Sequence, residues 1–185
     1  MLSGTLWHRE AMELRDDEVL IRTAEQSDAA GIADVHVRSW QEAYSGIVPD
    51  TYLAGLDPTD RARTWAERLR LGPQDAIATW VAELGGTVIG FATLGPGRDD
   101  DVRLGDREIY SIYLDPEQWG HGVARDLMRT LLAEAGDSAT IRLWVLADAE
   151  RARHFYRRHG FAPDGVEKYE EVGGAELLQV RYRRG

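Results

Sequence analysis

The stretch LDPEQWGHGVARDLM, residues 114–128, decides how the chain is read. It lies between a strand-like run and a periodic helix. Pro116 ends the strand, and Gly120 and Gly122 flank His121 where the helix should begin. After the turn, Val123, Ala124, Leu127, Met128, Leu131, Leu132 and Ala135 recur at helical spacing. One apolar stripe of this kind gives the helix a fixed seat against a sheet. A fixed helix offers unpaired N–H groups and the positive end of its dipole at its start, here residues 120–125. Glycine costs helix stability, but it also removes the Cβ that would hold another molecule away from the backbone. The combination suits a pyrophosphate. A tight strand-to-helix turn, with glycine merely satisfying a backbone angle, explains the same residues. The dinucleotide pattern G-x-G-x-x-G fits poorly, because Arg125 holds its third glycine position and the preceding strands read as antiparallel.

On either side the period of the apolar residues changes several times. Residues 1–18 read as an extension or a frayed helix, ahead of a domain spanning 19–185. Val19–Thr23 reads as a short strand. Ser27 and Asp28 are candidate caps for a helix reaching Tyr44. SGIVPD is a turn, and Pro49 with Asp50 can start a short helix. Thr59 or Asp60 can cap a further helix with Ala62, Trp65, Ala66 and Leu69 inward, which LGPQD breaks. IATWVAEL, a Gly-Gly pair and TVIGFATLG read as a β-hairpin. The polar run GPGRDDDVRLGD reads as a loop whose aspartates lie in solvent. REIYSIYLD, ATIRLWVLA, FAPDGVEKYEE and AELLQVRYRR are strands, and AERARHFYRRHG is a helix ending at Gly160. The fold class is therefore α/β of the α+β kind: one domain, a mostly antiparallel mixed sheet flanked by helices, and one strand–helix–strand unit.

Composition narrows the function. The 185 residues are 43% hydrophobic, enough for a core. Twenty-two Lys and Arg against 32 Asp and Glu give a net charge of −10, which argues against a nucleic-acid partner and is compatible with a cationic one. The absence of cysteine excludes disulfides, thiolate metal sites and a cysteine nucleophile. His154 and His159 are five apart, the wrong spacing to share a helix face as ligands, and no metal site is expected. The N-terminus lacks the basic start and apolar core of a signal peptide, and no apolar run is long enough to cross a bilayer. The expectation is a cytoplasmic protein with no membrane partner.

Two motifs in this order resemble the Gcn5-related N-acetyltransferases, in a bacterial branch of that superfamily. The loop pattern Arg/Gln-x-x-Gly-x-Gly/Ala has Gly122 and Ala124 in place, with Trp119 where Arg or Gln is usual. LWVLADAERARHFYRRHGF, residues 143–161, resembles a strand followed by N-x-x-A-x-x-F-Y-x-x-x-G-F. Ala152, Phe155, Tyr156, Gly160 and Phe161 match, and Ala149 replaces the asparagine. IRTAEQSDAAGIADVHVRSWQEAYSGIVPD is similar to the N-terminal strand and helix of the family.

The resemblance implies an acyl-CoA-dependent N-acyltransferase, moving acetyl from acetyl-CoA to an amine of a small molecule or peptide within a ternary complex. An acyl-CoA-binding protein that has lost turnover is the alternative, kept open by Ala149 and Trp119. The sheet should splay between its fourth and fifth strands, REIYSIYLD and TIRLWVLA. The cofactor's pantetheine arm would pair with backbone at Ile112, Tyr113 and Leu114. Its pyrophosphate would rest on Trp119, Gly120, His121, Gly122, Val123, Ala124 and Arg125. Tyr156 matches the family's general acid, although an inward aromatic also simply packs. Glu108, fourteen residues before Gly122, is the candidate base, with a solvated strand-start glutamate as the other reading. Trp40 and Tyr44 border the acceptor region, Trp40 being equally a core residue. Arg151, Arg153, Arg157 and Arg158 make the second helix basic; one could reach a cofactor phosphate, the others forming a solvated face. The exposed edges of the last two strands are compatible with a homodimer.

Overall fold

A computed structural model describes residues 18–70 and 77–185. The proposed extension (apart from Glu18) and the helix-breaking LGPQD lie outside these residues. The order of elements is β1 (Leu20–Thr23), α1 (Ala29–Ala43), α2 (Asp50–Ala54), α3 (Pro58–Arg70), β2 (Ala78–Leu84), β3 (Thr87–Pro96), β4 (Arg107–Leu114), α4 (Val123–Ala135), β5 (Ile141–Leu146), α5 (Glu150–Arg158), β6 (Ala162–Val172) and β7 (Ala175–Arg184). Single 3₁₀ turns occupy Gln26–Asp28 and Pro116–Gln118.

The strands form one sheet in the order β1-β2-β3-β4-β5-β7-β6. Every neighbouring pair is antiparallel except β4 with β5, the two strands joined through α4. A right-handed crossover of this type needs a helix to return the chain to the same end of the sheet. Gly85 and Gly86, with φ of 56° and 79°, make the two-residue turn of the β2–β3 hairpin. Because β7 lies between β5 and β6, only β6 of the last two strands offers an edge.

Alternation along the strands separates two buried clusters. Val81 and Phe91 pack with Ile32, Val35 and Trp65 beneath α1 and α3. Ala92, Leu94, Ile109 and Leu143 pack with Leu127, Met128 and Leu131 of α4 on the opposite face. Gly90 permits the close seating of α4, since a Cβ there would meet Leu114 and Leu127 side chains at 3.1 and 3.3 Å.

Two local readings are corrected. Asp57, rather than Thr59 or Asp60, caps α3: its carboxylate accepts the Thr59 N–H at 2.7 Å and Pro58 takes the first helical position. Asp28 does not cap α1. It accepts two hydrogen bonds from Arg22 at 2.7 Å and the Glu25 N–H, which holds its carboxyl below the usual range.

The acidic loop 97–106 is exposed at Asp100, as expected, but Asp99 and Asp101 are tied to the sheet. Arg181, 5% exposed, bonds Asp99, Asp101 and Asp164, while Arg142 reaches Asp101 and Asp106. Trp144 donates its indole N–H to Asp99. The arginines stand on neighbouring strands β5 and β7, so the loop is clamped across the sheet. Arg181→Met should lower the unfolding free energy at neutral pH by about 3 kcal/mol in a urea titration, three carboxylates being left without their shared cation. Hydrogen bonding from Arg181 holds Asp101 below its ordinary value. That stability is present above the unfolded carboxylate range and lost as pH falls through the lowered value. The gap between wild type and variant should therefore narrow below about pH 4.

Candidate active site

β4 and β5 pair at only three positions, Arg107↔Ile141, Glu108↔Arg142 and Ile109↔Leu143, and then part. A bulge in β4 sits at the point of parting. Leu94 faces Ile109 and Thr93 faces Ser111, which leaves Tyr110 as the extra residue. Bulges bend a strand and raise its twist. Tyr110 is pinned from three directions. Its ring lies on Gly95, where a Cβ would come within 2.4 Å of it; its hydroxyl donates to the Pro96 carbonyl at 2.7 Å; and the Arg98 guanidinium stacks 4.0 Å from its centroid.

Beyond the bulge, β4 exposes backbone to the gap. The Asp115 N–H donates to Ile89 at 2.9 Å, so by antiparallel alternation Tyr113 also turns its backbone groups to β3. Ile112 and Leu114 turn theirs toward the opening, the arrangement that a pantetheine amide needs. Tyr113 itself presents its side chain.

The glycine loop begins directly after this strand. Gly120 and Gly122 have φ of 87° and 89°, and a Cβ on Gly120 would meet nothing within 4 Å. Asp126 N–H bonds Gly122 as the first α4 closure, and the amides of Gly120, His121, Gly122, Val123, Ala124 and Arg125 have no backbone partner among the described residues. Six unpartnered amides at the positive end of a helix, with open space over Gly120, fit a pyrophosphate. His121 is exposed at the tip. Arg125 folds back over Gly122 and bonds Asp126 at 3.2 Å. Trp119 does not project like an arginine. Its indole N–H donates to the Leu114 carbonyl at 3.3 Å, and the Arg151 guanidinium lies 3.8 Å above its ring. Ala149, at the asparagine position, precedes α5 without a side-chain cap and is buried.

Tyr156 of α5 is 8% exposed, and its hydroxyl has no hydrogen-bond partner among the described residues. Burial, reinforced by neighbouring Tyr113, raises its pKa, so the phenol stays protonated. Tyr44 and Tyr113 share a hydroxyl–hydroxyl contact of 3.2 Å, and burial raises both. Trp40 meets Tyr44 edge-on at 5.0 Å, which places both acceptor candidates on one aromatic wall. His36 was not anticipated as part of it. Its ring stacks on Tyr113 at 5.3 Å, and burial, with Arg61 and Arg68 nearby, pushes its pKa down to about 4. The spacing of His36 and Trp40, one turn apart on α1, carried the signal.

Glu108 is held apart from this group. It is 2% exposed; Oε2 accepts the Arg98 backbone N–H at 3.0 Å, and Oε1 accepts two guanidinium hydrogen bonds at 3.2 and 2.5 Å. Both oxygens are engaged, on the segment where β4 and β5 are still paired.

A mixed sheet whose parallel strands part, with free helix-start amides after one strand and a buried tyrosine on the helix after the other, has the layout that an acyl-carrier nucleotide thioester fits. Residues 34–161 match the model of the acetyltransferase (GNAT) family. A probable N-acetyltransferase of Mycobacterium tuberculosis is 29% identical over 177 residues, covering 92% of this chain and 95% of that protein. The uncharacterized N-acetyltransferase YuaI of Bacillus subtilis is 32% identical over 167 residues, 88% of this chain and 90% of its own. The crystal structure of PaiA N-acetyltransferase from Thermoplasma acidophilum in complex with coenzyme A shares the fold, with a TM-score of 0.65 at 20% identity over 90% of this chain and 98% of that one. The chain belongs to the acetyltransferase (GNAT) family and is an N-acetyltransferase. None of its described helices is long and apolar enough to cross a membrane.

Gly122→Asp should weaken coenzyme A binding at least about tenfold by calorimetry, because a carboxylate would enter the cradle. Asp tolerates positive φ better than most residues, so far-UV circular dichroism should remain that of a folded protein.

Proposed function

We propose that this chain moves an acetyl group from acetyl-CoA to a primary amine of a small molecule or peptide by direct attack, with Tyr156 protonating the departing thiolate. The observation that carries the reading is Tyr156: its side chain is buried within electrostatic reach of Tyr113, burial keeps the phenol protonated, and its hydroxyl has no hydrogen-bond partner among the described residues. Acetyl-CoA supplies an already activated thioester, so the protein needs only to align the reactants, stabilise charge and move protons. The chain has no cysteine to carry an acyl-enzyme. The outward backbone of Ile112 and Leu114 and the amides of Gly120 to Arg125 hold the donor.

Trp40 and Tyr44 form the acceptor wall. Glu170 on β6 is an exposed carboxylate whose charge reaches both Tyr44 and Tyr113, and it favours an incoming ammonium group over an anion. Glu108 serves as an anchor in this scheme. Its two oxygens hold Arg98, and through Arg98 the bulge, while the amine proton leaves to water and the Tyr156 phenolate takes a proton back from water after the thiol departs.

The test is thiol release from acetyl-CoA over a panel of primary amines. Amine-dependent release supports transfer, and tight coenzyme A binding without release from any amine would place the chain among acyl-CoA binders. Tyr156→Phe should lower kcat about 100-fold with coenzyme A affinity nearly unchanged; an unaltered kcat removes the acid role. Glu108→Gln should lower the melting temperature and leave the shape of the pH profile of kcat/KM as in wild type. A lost acidic-limb pKa in that profile would instead make Glu108 the base.

A further inference from the structure

Trp119 lies five residues after β4 and Arg151 in the first turn of α5, five residues after β5, so the two follow the strands that have parted. Their contact spans the mouth of the gap. The indole is fixed from below by its hydrogen bond to the Leu114 carbonyl, and the guanidinium carbon lies 3.8 Å from the ring centroid. At that distance the guanidinium is stacked face to ring. A stacked guanidinium uses its flat face for the aromatic and keeps its N–H donors in the plane, directed outward. Arg151 is exposed and makes no ion pair among the described residues. The chain carries ten more acids than bases, and Arg153 and Arg157 of the same helix both reach Glu150. A cation held over Trp119, the residue next to Gly120, yet left without a carboxylate among the described residues, has its donors available for an anion.

We propose that Arg151, positioned on Trp119, is a phosphate ligand for coenzyme A and closes the open side of the glycine cradle. The inference rests on the acyl-donor reading above and adds to it a residue from a second element. The α4 amides receive the phosphate from one side of the gap, and Arg151 meets it from the other. Binding would then tie the ends of β4 and β5 together across the opening.

Calorimetry with wild type, Arg151→Gln, Trp119→Leu and the double variant tests this. The probes are coenzyme A, 3′-dephospho-coenzyme A and the phosphate-free S-acetylpantetheine. Arg151→Gln should weaken coenzyme A about tenfold, the scale of one charge-assisted contact, and leave S-acetylpantetheine unaffected. Trp119→Leu should reproduce most of that loss, and the double variant should lose no more than Arg151→Gln, since both remove one positioned cation. A loss that persists with 3′-dephospho-coenzyme A supports closure of the cradle on the pyrophosphate, and a loss confined to coenzyme A would overturn it by placing Arg151 on the 3′-phosphate. Wild-type affinity in Arg151→Gln, or an equal loss for S-acetylpantetheine, would overturn the proposal while leaving the acyl-donor reading intact. Failure of the wild type to bind coenzyme A would overturn that reading itself.

Discussion

The bulge at Tyr110 is the constraint on which the rest of the structure depends. Without an extra residue in β4, its register with β3 would carry straight through, and nothing local would turn its far half from β5. Gly95 makes room for the ring, Pro96 takes the hydroxyl, Arg98 covers the ring's face, and Glu108 ties down Arg98. Four residues near the paired end thus hold open a gap several residues away. The same bend frees the backbone of Ile112 and Leu114 and brings Tyr113 toward Tyr156.

The gap is useful because its two sides are independently seated. α4 is anchored on one sheet face by Leu127, Met128 and Leu131, all fully buried, and its N-terminal amides are therefore fixed in space. α5 is held by Tyr156 and by hydrogen bonds from Arg153 and Arg157 to the Tyr182 hydroxyl on β7. α1 brings Trp40 and Tyr44 from the opposite face. Beyond the third β4–β5 pair, backbone pairing no longer joins the halves, and side chains bridge the interval.

Much of this was legible in the residues because the signals were local. The helical stripe after the glycine turn, the Gly-Gly hairpin and the crossover between REIYSIYLD and TIRLWVLA each rest on a period or a turn residue, and each is found. The bulge was not legible, since REIYSIYLD reads as an uninterrupted strand and only its partner's register exposes the extra residue. The loop aspartates misled for a related reason: Arg142 and Arg181 are distant in sequence and meet them only through sheet order. Glu108 was a candidate base by position alone, and its pairing with Arg98 is invisible at that level. Trp119 looked anomalous for the same reason until Arg151 was found on its ring.

The aromatic wall of α1 and β4 has a further property. His36 is neutral down to about pH 4, while Tyr44, Tyr113 and Tyr156 are pushed upward by burial. These four rings therefore change no charge anywhere in the range where a cell operates. Within that range these rings shape the cleft by size and dipole, and they add no titration of their own to it.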